Sequence, residues 1–168
     1  MTRVVVGIGS NESPHANVRT ALESLDAACG PLRRSPVYRC APVGFAGADF
    51  LNLVAVFETL ETLQSVQARL CDIEAACGRD RDRAATAGRM DIDLLLFGDT
   101  VRASAPRLPC PDIVAHAFVL KPLAELLPEA RHPLCKRRYR QLWADFGPSD
   151  SVLEAVALEQ GVRPTGRL

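Results

Sequence analysis

A chain of 168 residues with 48% hydrophobic content has the length and apolarity of one globular domain, which excludes a disordered polymer. Its 20 basic residues balance 20 acidic ones, so the basic footprint of a nucleic-acid binder is missing. No apolar run reaches the roughly 18 residues of a membrane span, and Met1-Thr2-Arg3-Val4-Val5-Val6 enters a strand-like segment directly, so a cytoplasmic protein is expected.

Arg3 to Ile8 is a β-branched run ending in Gly7-Ile8-Gly9-Ser10-Asn11, a buried strand feeding a loop. Ser13-Pro14 predicts an N-cap with proline in the first helical turn. Val18, Ala21, Leu22 and Leu25 continue at helical spacing, and Gly30 stops the helix. Leu32 to Arg39 predicts a second strand. Residues 41–49, with Pro42, Gly44 and Gly47, predict a loop. Phe50 to Thr59 alternates and is rich in β-formers, giving a third strand. Thr62 to Cys77 places Leu63, Val66, Leu70, Ile73 and Cys77 on one helical stripe, ended by Gly78.

An arginine-rich stretch without apolar periodicity follows, Arg79 to Arg89, and then a fourth strand, Asp91 to Phe97, closed by Gly98-Asp99. Beyond it come a Pro-rich segment (Pro106 to Pro111) and a helix near Phe118 to Leu127. Tyr139, Leu142, Trp143 and Phe146 then form an apolar-periodic piece. Residues 1–147 read as one domain. Residues 148–168 read as a weakly patterned, partly loose tail with no domain of its own. The order β-α-β-β-α-β implies an α+β fold with a ferredoxin-like core, its antiparallel sheet covered by helices, with extra helices after it. That topology alone names no function.

The six cysteines form no Cys-x-x-Cys pair and read mostly as small buried hydrophobes. The sharpest chemical feature is Asp91-Ile92-Asp93. Residues two apart on a strand share a face, so the carboxylates pair while Ile92 and Leu94 face the other way. A hard divalent cation such as Mg²⁺ would relieve that repulsion; the plain alternative is a solvated strand entrance. Arg79, Arg81, Arg83 and Arg89 just before the pair could hold phosphates in bidentate forks, although Arg-Asp-Arg-Asp-Arg is also a self-paired loop. Together they favour nucleotide–metal chemistry of the phosphoryl-transfer kind. Gly7-x-Gly9 is neither a Walker loop nor a dinucleotide fingerprint and reads as a tight turn. Phe50 and Phe118 read as core, and Asn52, polar in an apolar strand, demands a partner or a ligand.

These residues, taken in order, resemble the 6-hydroxymethyl-7,8-dihydropterin pyrophosphokinase family of folate biosynthesis. The carriers are Gly9-Ser10-Asn11, Ser35-Pro36-Val37-Tyr38-Arg39 with Ala41-Pro42-Val43-Gly44, Phe50-Leu51-Asn52, and Glu74 with Gly78-Arg79-x-Arg81. Arg89-Met90-Asp91-Ile92-Asp93 through Gly98, Pro109-x-Pro111 and Phe118-Val119-Leu120-x-Pro122-Leu123 complete the series, over about residues 4–128.

The resemblance implies transfer of pyrophosphate from ATP, the co-substrate, to the pterin hydroxymethyl group, leaving AMP. Asp91 and Asp93 would hold two Mg²⁺ ions, and Arg79, Arg81 and Arg89 would clamp phosphates, with Arg79 and Arg89 counted as catalytic. Pterin would lie between Phe50 and Phe118, read by Asn52 and by the backbone from Cys40 through Ala41 to Val43, with His116 beside it. Glu74, Leu94, Arg107 and Cys110 would be nucleotide-side contacts. The expected partners are ATP and a pterin, with no nucleic acid, no membrane and a monomeric chain. The chain departs from the family pattern in five ways. Its Arg89-to-Asp91 link is one residue short, and the arginine loop lacks a tryptophan. Cys110 replaces a usual histidine and His116 a frequent arginine, while Cys71 stands at a commonly polar position. An alternative is therefore a pterin-binding homologue with altered substrate or lost turnover. An RNA-binding module on the same topology would need exposed aromatics on its central strands; the first strand has none.

Overall fold

Val4, Val5 and Val6 have no solvent exposure, so the strand that carries them must be covered on both faces. The structure, a computed structural model, describes residues 1–77, 90–149 and 151–159. The valines lie in β1 (Thr2–Ser10), followed by α1 (Pro14–Cys29), β2 (Arg33–Arg34), β3 (Val37–Cys40), β4 (Phe50–Thr59), α2 (Leu63–Ala76) and β5 (Met90–Phe97). Then come α3 (Asp112–Ala115), α4 (Ala117–Leu126), α5 (Tyr139–Ala144) and β6 (Glu154–Val156).

The sheet runs β5-β1-β4-β3-β6 with antiparallel pairs throughout, and β2 also pairs β4. With β2 and β3 taken as one interrupted strand, this is the βαββαβ order expected from the sequence. Alternation splits each strand between two cores. Val4, Val6, Ile8, Leu53 and Ile92 pack under Val18, Ala21 and Leu25 of α1 and Val66, Leu70 and Ile73 of α2. Val5, Val54, Val56 and Leu95 pack against Leu120, Leu123 and Ala124 of α4 and against Tyr139. The registers Val5↔Leu96 and Val6↔Leu94 leave Leu95 as an extra residue, a bulge that lets Leu95 and Leu96 both serve the second core.

Three local expectations are corrected. The second strand is broken at Ser35-Pro36, because proline has no N–H for the ladder. Ser35 bridges the gap: its N–H donates to Val54 O (2.9 Å), and its Oγ accepts from Val54 N (3.0 Å). Ser13 stands at the N-cap of α1 with φ 39°, but its side chain caps nothing. Gly7 and Gly9 lie within β1, not in a turn, since the strand continues to Ser10. Within the weakly patterned C-terminal segment, a stretch joins the sheet. β6 pairs with β3 through Val37↔Val156 and Arg39↔Glu154. Past it, Arg19 Nη1 donates to Glu159 O (3.0 Å), and Glu159 N donates to His15 Nδ1 (3.2 Å). The segment thus runs from the sheet edge to α1.

Candidate active site

Three strands are aligned at one level: Asp91 of β5 faces Gly9 of β1, which faces Asn52 of β4. One step along, Asp93 faces Gly7, which faces Val54. Alternation sends all these positions toward the α4 face, and the two glycines put no side chain there. The sheet therefore has a trough in its middle strand, with carboxylates on one bank and an amide on the other.

That trough is the floor of a cavity of about 380 Å³. Asp91 and Asp93 line it together with all seven residues expected on the pterin side: Cys40, Ala41, Val43, Phe50, Asn52, His116 and Phe118. Gly9 shapes the amide bank. A Cβ added there would sit 2.7 Å from Asn52 Oδ1, so only glycine lets the Asn52 side chain lie in this position. Asn52 is buried, and its Nδ2 donates to Cys40 Sγ (3.1 Å). Burial pushes the Cys40 thiol up, so it stays protonated at neutral pH.

The aromatic residues come from both sides. Phe50 meets Phe45 edge-on at 6.2 Å. Across the cavity, the His116 imidazole stacks on Phe118 at 4.9 Å with an interplanar angle of 14°, and His116 Nε2 lies 3.8 Å from Asp112 Oδ1. Cys110 adjoins this group. Its N–H donates to Leu95 O (2.9 Å), and its thiol is pushed up by burial and then by the Asp112 and Asp93 carboxylates.

The rest of the nucleotide-side set is placed differently. Glu74 is buried between α2 and β5, where its Oε1 accepts from Ile92 N at 2.6 Å. Leu94 packs in the core under α1 and α2, on the opposite sheet face from the cavity, because its parity in β5 is that of Ile92. Arg107 is exposed and does not line the cavity. Arg79, Arg81 and Arg89, with Arg83, lie outside the described residues. Gly9, Phe45 and Asp112 line the cavity without having been singled out as site residues. Asp112 carried a signal, since it opens α3 and stands four residues before His116, which caps that helix.

Asp91 and Asp93 offer two hard oxygen donors on one face, beside glycines that leave room above the sheet. This donor set fits Mg²⁺, which typically takes one or two carboxylates and completes its shell with water or phosphate oxygens.

Comparisons with known proteins bear on the family and the fold. Residues 5–128 match the model of the 7,8-dihydro-6-hydroxymethylpterin-pyrophosphokinase family. The 2-amino-4-hydroxy-6-hydroxymethyldihydropteridine pyrophosphokinase of Pseudomonas aeruginosa is 38% identical over 143 residues, covering 78% of this chain and 84% of that protein. The Methylorubrum extorquens protein of the same name is 37% identical, covering 77% and 85%. Among solved structures, the Plasmodium falciparum HPPK-DHPS with pteroate superposes with a TM-score of 0.68 at 14% identity. That match covers 87% of this chain and 42% of the fused one, so it shows the fold. On the match over residues 5–128 and these relatives, the chain belongs to the 7,8-dihydro-6-hydroxymethylpterin-pyrophosphokinase family of ATP-dependent diphosphotransferases.

Proposed function

We propose that the trough over Gly7 and Gly9 is where the family's reaction runs, the transfer of pyrophosphate from ATP to the hydroxymethyl group of 6-hydroxymethyl-7,8-dihydropterin. The observation that carries this reading is the cross-strand row Asp91–Gly9–Asn52, which sets a carboxylate bank and a polar recognition bank on one cavity floor. The pterin ring lies against Phe50 and Phe118, with Asn52 and the backbone of residues 40–43 facing its amide-like edge. Its hydroxymethyl group then points toward Asp91 and Asp93. The hydroxyl oxygen forms a bond to the β-phosphorus while the bond from that phosphorus to the α-bridging oxygen breaks. AMP leaves with that oxygen, and the hydroxyl proton is released.

Asp91 and Asp93 would hold Mg²⁺, two ions in the family pattern, whose chemistry when bound is to neutralise the triphosphate and polarise the β-phosphorus. Glu74 acts from behind: its carboxylate holds the Ile92 N–H and so fixes the strand segment between the two aspartates. Cys110, beside Asp93, and the exposed Arg107 are proposed for the nucleotide side. Leu94 serves there as the apolar backing of β5. Arg79, Arg81 and Arg89 enter on sequence grounds alone, as guanidinium forks for phosphates. Six free thiols suit a reducing, cytoplasmic setting.

The test is direct. Purified protein with ATP, Mg²⁺ and 6-hydroxymethyl-7,8-dihydropterin should give AMP and the pterin diphosphate, and AMP only when pterin and metal are both present. Pterin binding without AMP would overturn turnover on this substrate and leave a pterin-binding homologue.

A further inference from the structure

A second cavity, of about 470 Å³, lies on the α4 face of the sheet at the other end of β1. Val5, Leu96 and Leu127 give it an apolar wall, and Arg131 and Lys136 stand at its rim. Its remaining wall carries two polar side chains that are nine-tenths buried or more, His132 and Tyr139, 5% and 0% exposed.

Each carries a hydrogen-bond donor that meets no protein acceptor among the described residues. His132 Nδ1 accepts the N–H groups of Leu134 (3.3 Å) and Cys135 (3.4 Å). Burial holds the imidazole in its neutral form, so its one ring proton sits on Nε2. That N–H meets no acceptor among the described residues. The Tyr139 hydroxyl is buried and has no hydrogen-bond partner. Its pKa is raised, first by burial and then by Cys135 and Asp99, so it remains an O–H donor at any physiological pH. A buried donor left unmade is costly and rare, and the Tyr139 hydroxyl is one; with the His132 N–H on the same cavity wall, it points to a missing acceptor.

The surrounding charge says what kind. Arg131 Nη1 donates to Lys136 O (2.7 Å), and neither cation has a carboxylate partner among the described residues. Arg3 is shared with Glu58 at 3.4 Å, and Asp99 is the one acid on the wall among the described residues. We propose that this cavity is a second, non-catalytic binding site for a small phosphate-bearing ligand. Its oxyanion takes the His132 and Tyr139 donors and the Arg131 and Lys136 charges, and its apolar body packs on Val5, Leu96 and Leu127. A phosphate has oxygens enough for four such groups, and the apolar wall favours an organic phosphate over the free ion.

Calorimetric titration of the full chain tests this, with a non-hydrolysable ATP analogue and Mg²⁺ occupying the trough. Phenyl phosphate should bind at one equivalent, about tenfold tighter than inorganic phosphate. Equal affinity for the two would support the oxyanion site and assign it to the free ion. The double variant Arg131→Ala, Lys136→Ala should weaken binding by about tenfold or more while pyrophosphokinase turnover is unchanged. Tyr139→Phe should weaken binding about fivefold without lowering the melting temperature, since the lost hydroxyl had no protein partner. No saturable binding up to about 10 mM, or affinity unmoved by the double variant, would overturn the proposal.

Discussion

The Asn52 side chain lies where a Cβ on Gly9 would have to be: the added carbon would stand 2.7 Å from Asn52 Oδ1. Gly9→Ala should therefore push Asn52 off its Cys40 contact, at a cost of about 1–3 kcal/mol in stability or pterin affinity. Gly7→Ala is the control, because its Cβ would meet Leu95 Cδ1 at an ordinary 3.5 Å. Pterin titrations and melting curves of the two variants should separate them; equal behaviour would remove Gly9 from the site.

Asp91→Asn and Asp93→Asn should each lower turnover by about a hundredfold or more, the scale of lost metal-assisted charge stabilisation. Both side chains stand at the cavity rather than in a core, so the melting temperature should change little. Rates near those of the unaltered chain in either variant would end the metal role.

Phe118→Ala should weaken pterin binding by about 1–3 kcal/mol on stacking grounds. His116 loses its stacking partner in the same variant. Fluorescence titration with the pterin measures the effect, and unchanged affinity would return Phe118 to the hydrophobic core.

His132 makes stability depend on pH. Burial lowers its folded-state pKa below the ordinary 6.5, so as pH falls through that value the unfolded chain takes up the proton first. Stability should fall between about pH 7 and 5, the loss ending once the folded form is also protonated. His132→Gln should flatten that part of the melting curve, and an unaltered acid slope would argue against it.

The two helix caps predict opposite results. Thr62 Oγ1 accepts from Ser65 N at 3.2 Å at the start of α2, so Thr62→Ala should cost about 1 kcal/mol. Ser13 makes no such bond, and at φ 39° Ser13→Gly should be neutral or stabilising. Denaturant melts of both variants check the pair.

Period-two alternation made Asp91 and Asp93 legible in the sequence, since a strand puts them on one face whatever surrounds it. Gly9 was not, because its role depends on a cross-strand partner that only the β1–β4 register brings beside it. The break at Ser35-Pro36 was hidden by β-formers on both sides of it. The segment Glu154–Val156 offers only Val156 to the main core, too little apolar pattern to mark a strand. Leu94 was carried over by motif alone, although its parity with Ile92 already placed it on the far face.

The pairing of β6 with β3 bears on where this enzyme can be shortened. Residues 154–156 lie beyond the 5–128 stretch matched to the family, yet they hydrogen-bond to the strand that ends in Cys40, one wall of the cavity over Gly7 and Gly9. A truncation after Pro148 would keep every motif and leave β3 as a bare rim, prone to self-association and free to shift the Cys40 wall. The smallest working unit of this protein is thus longer than its signature, and trimming for crystallisation or fusion should keep the chain through Glu159, whose bonds to Arg19 and His15 tie the sheet rim to α1.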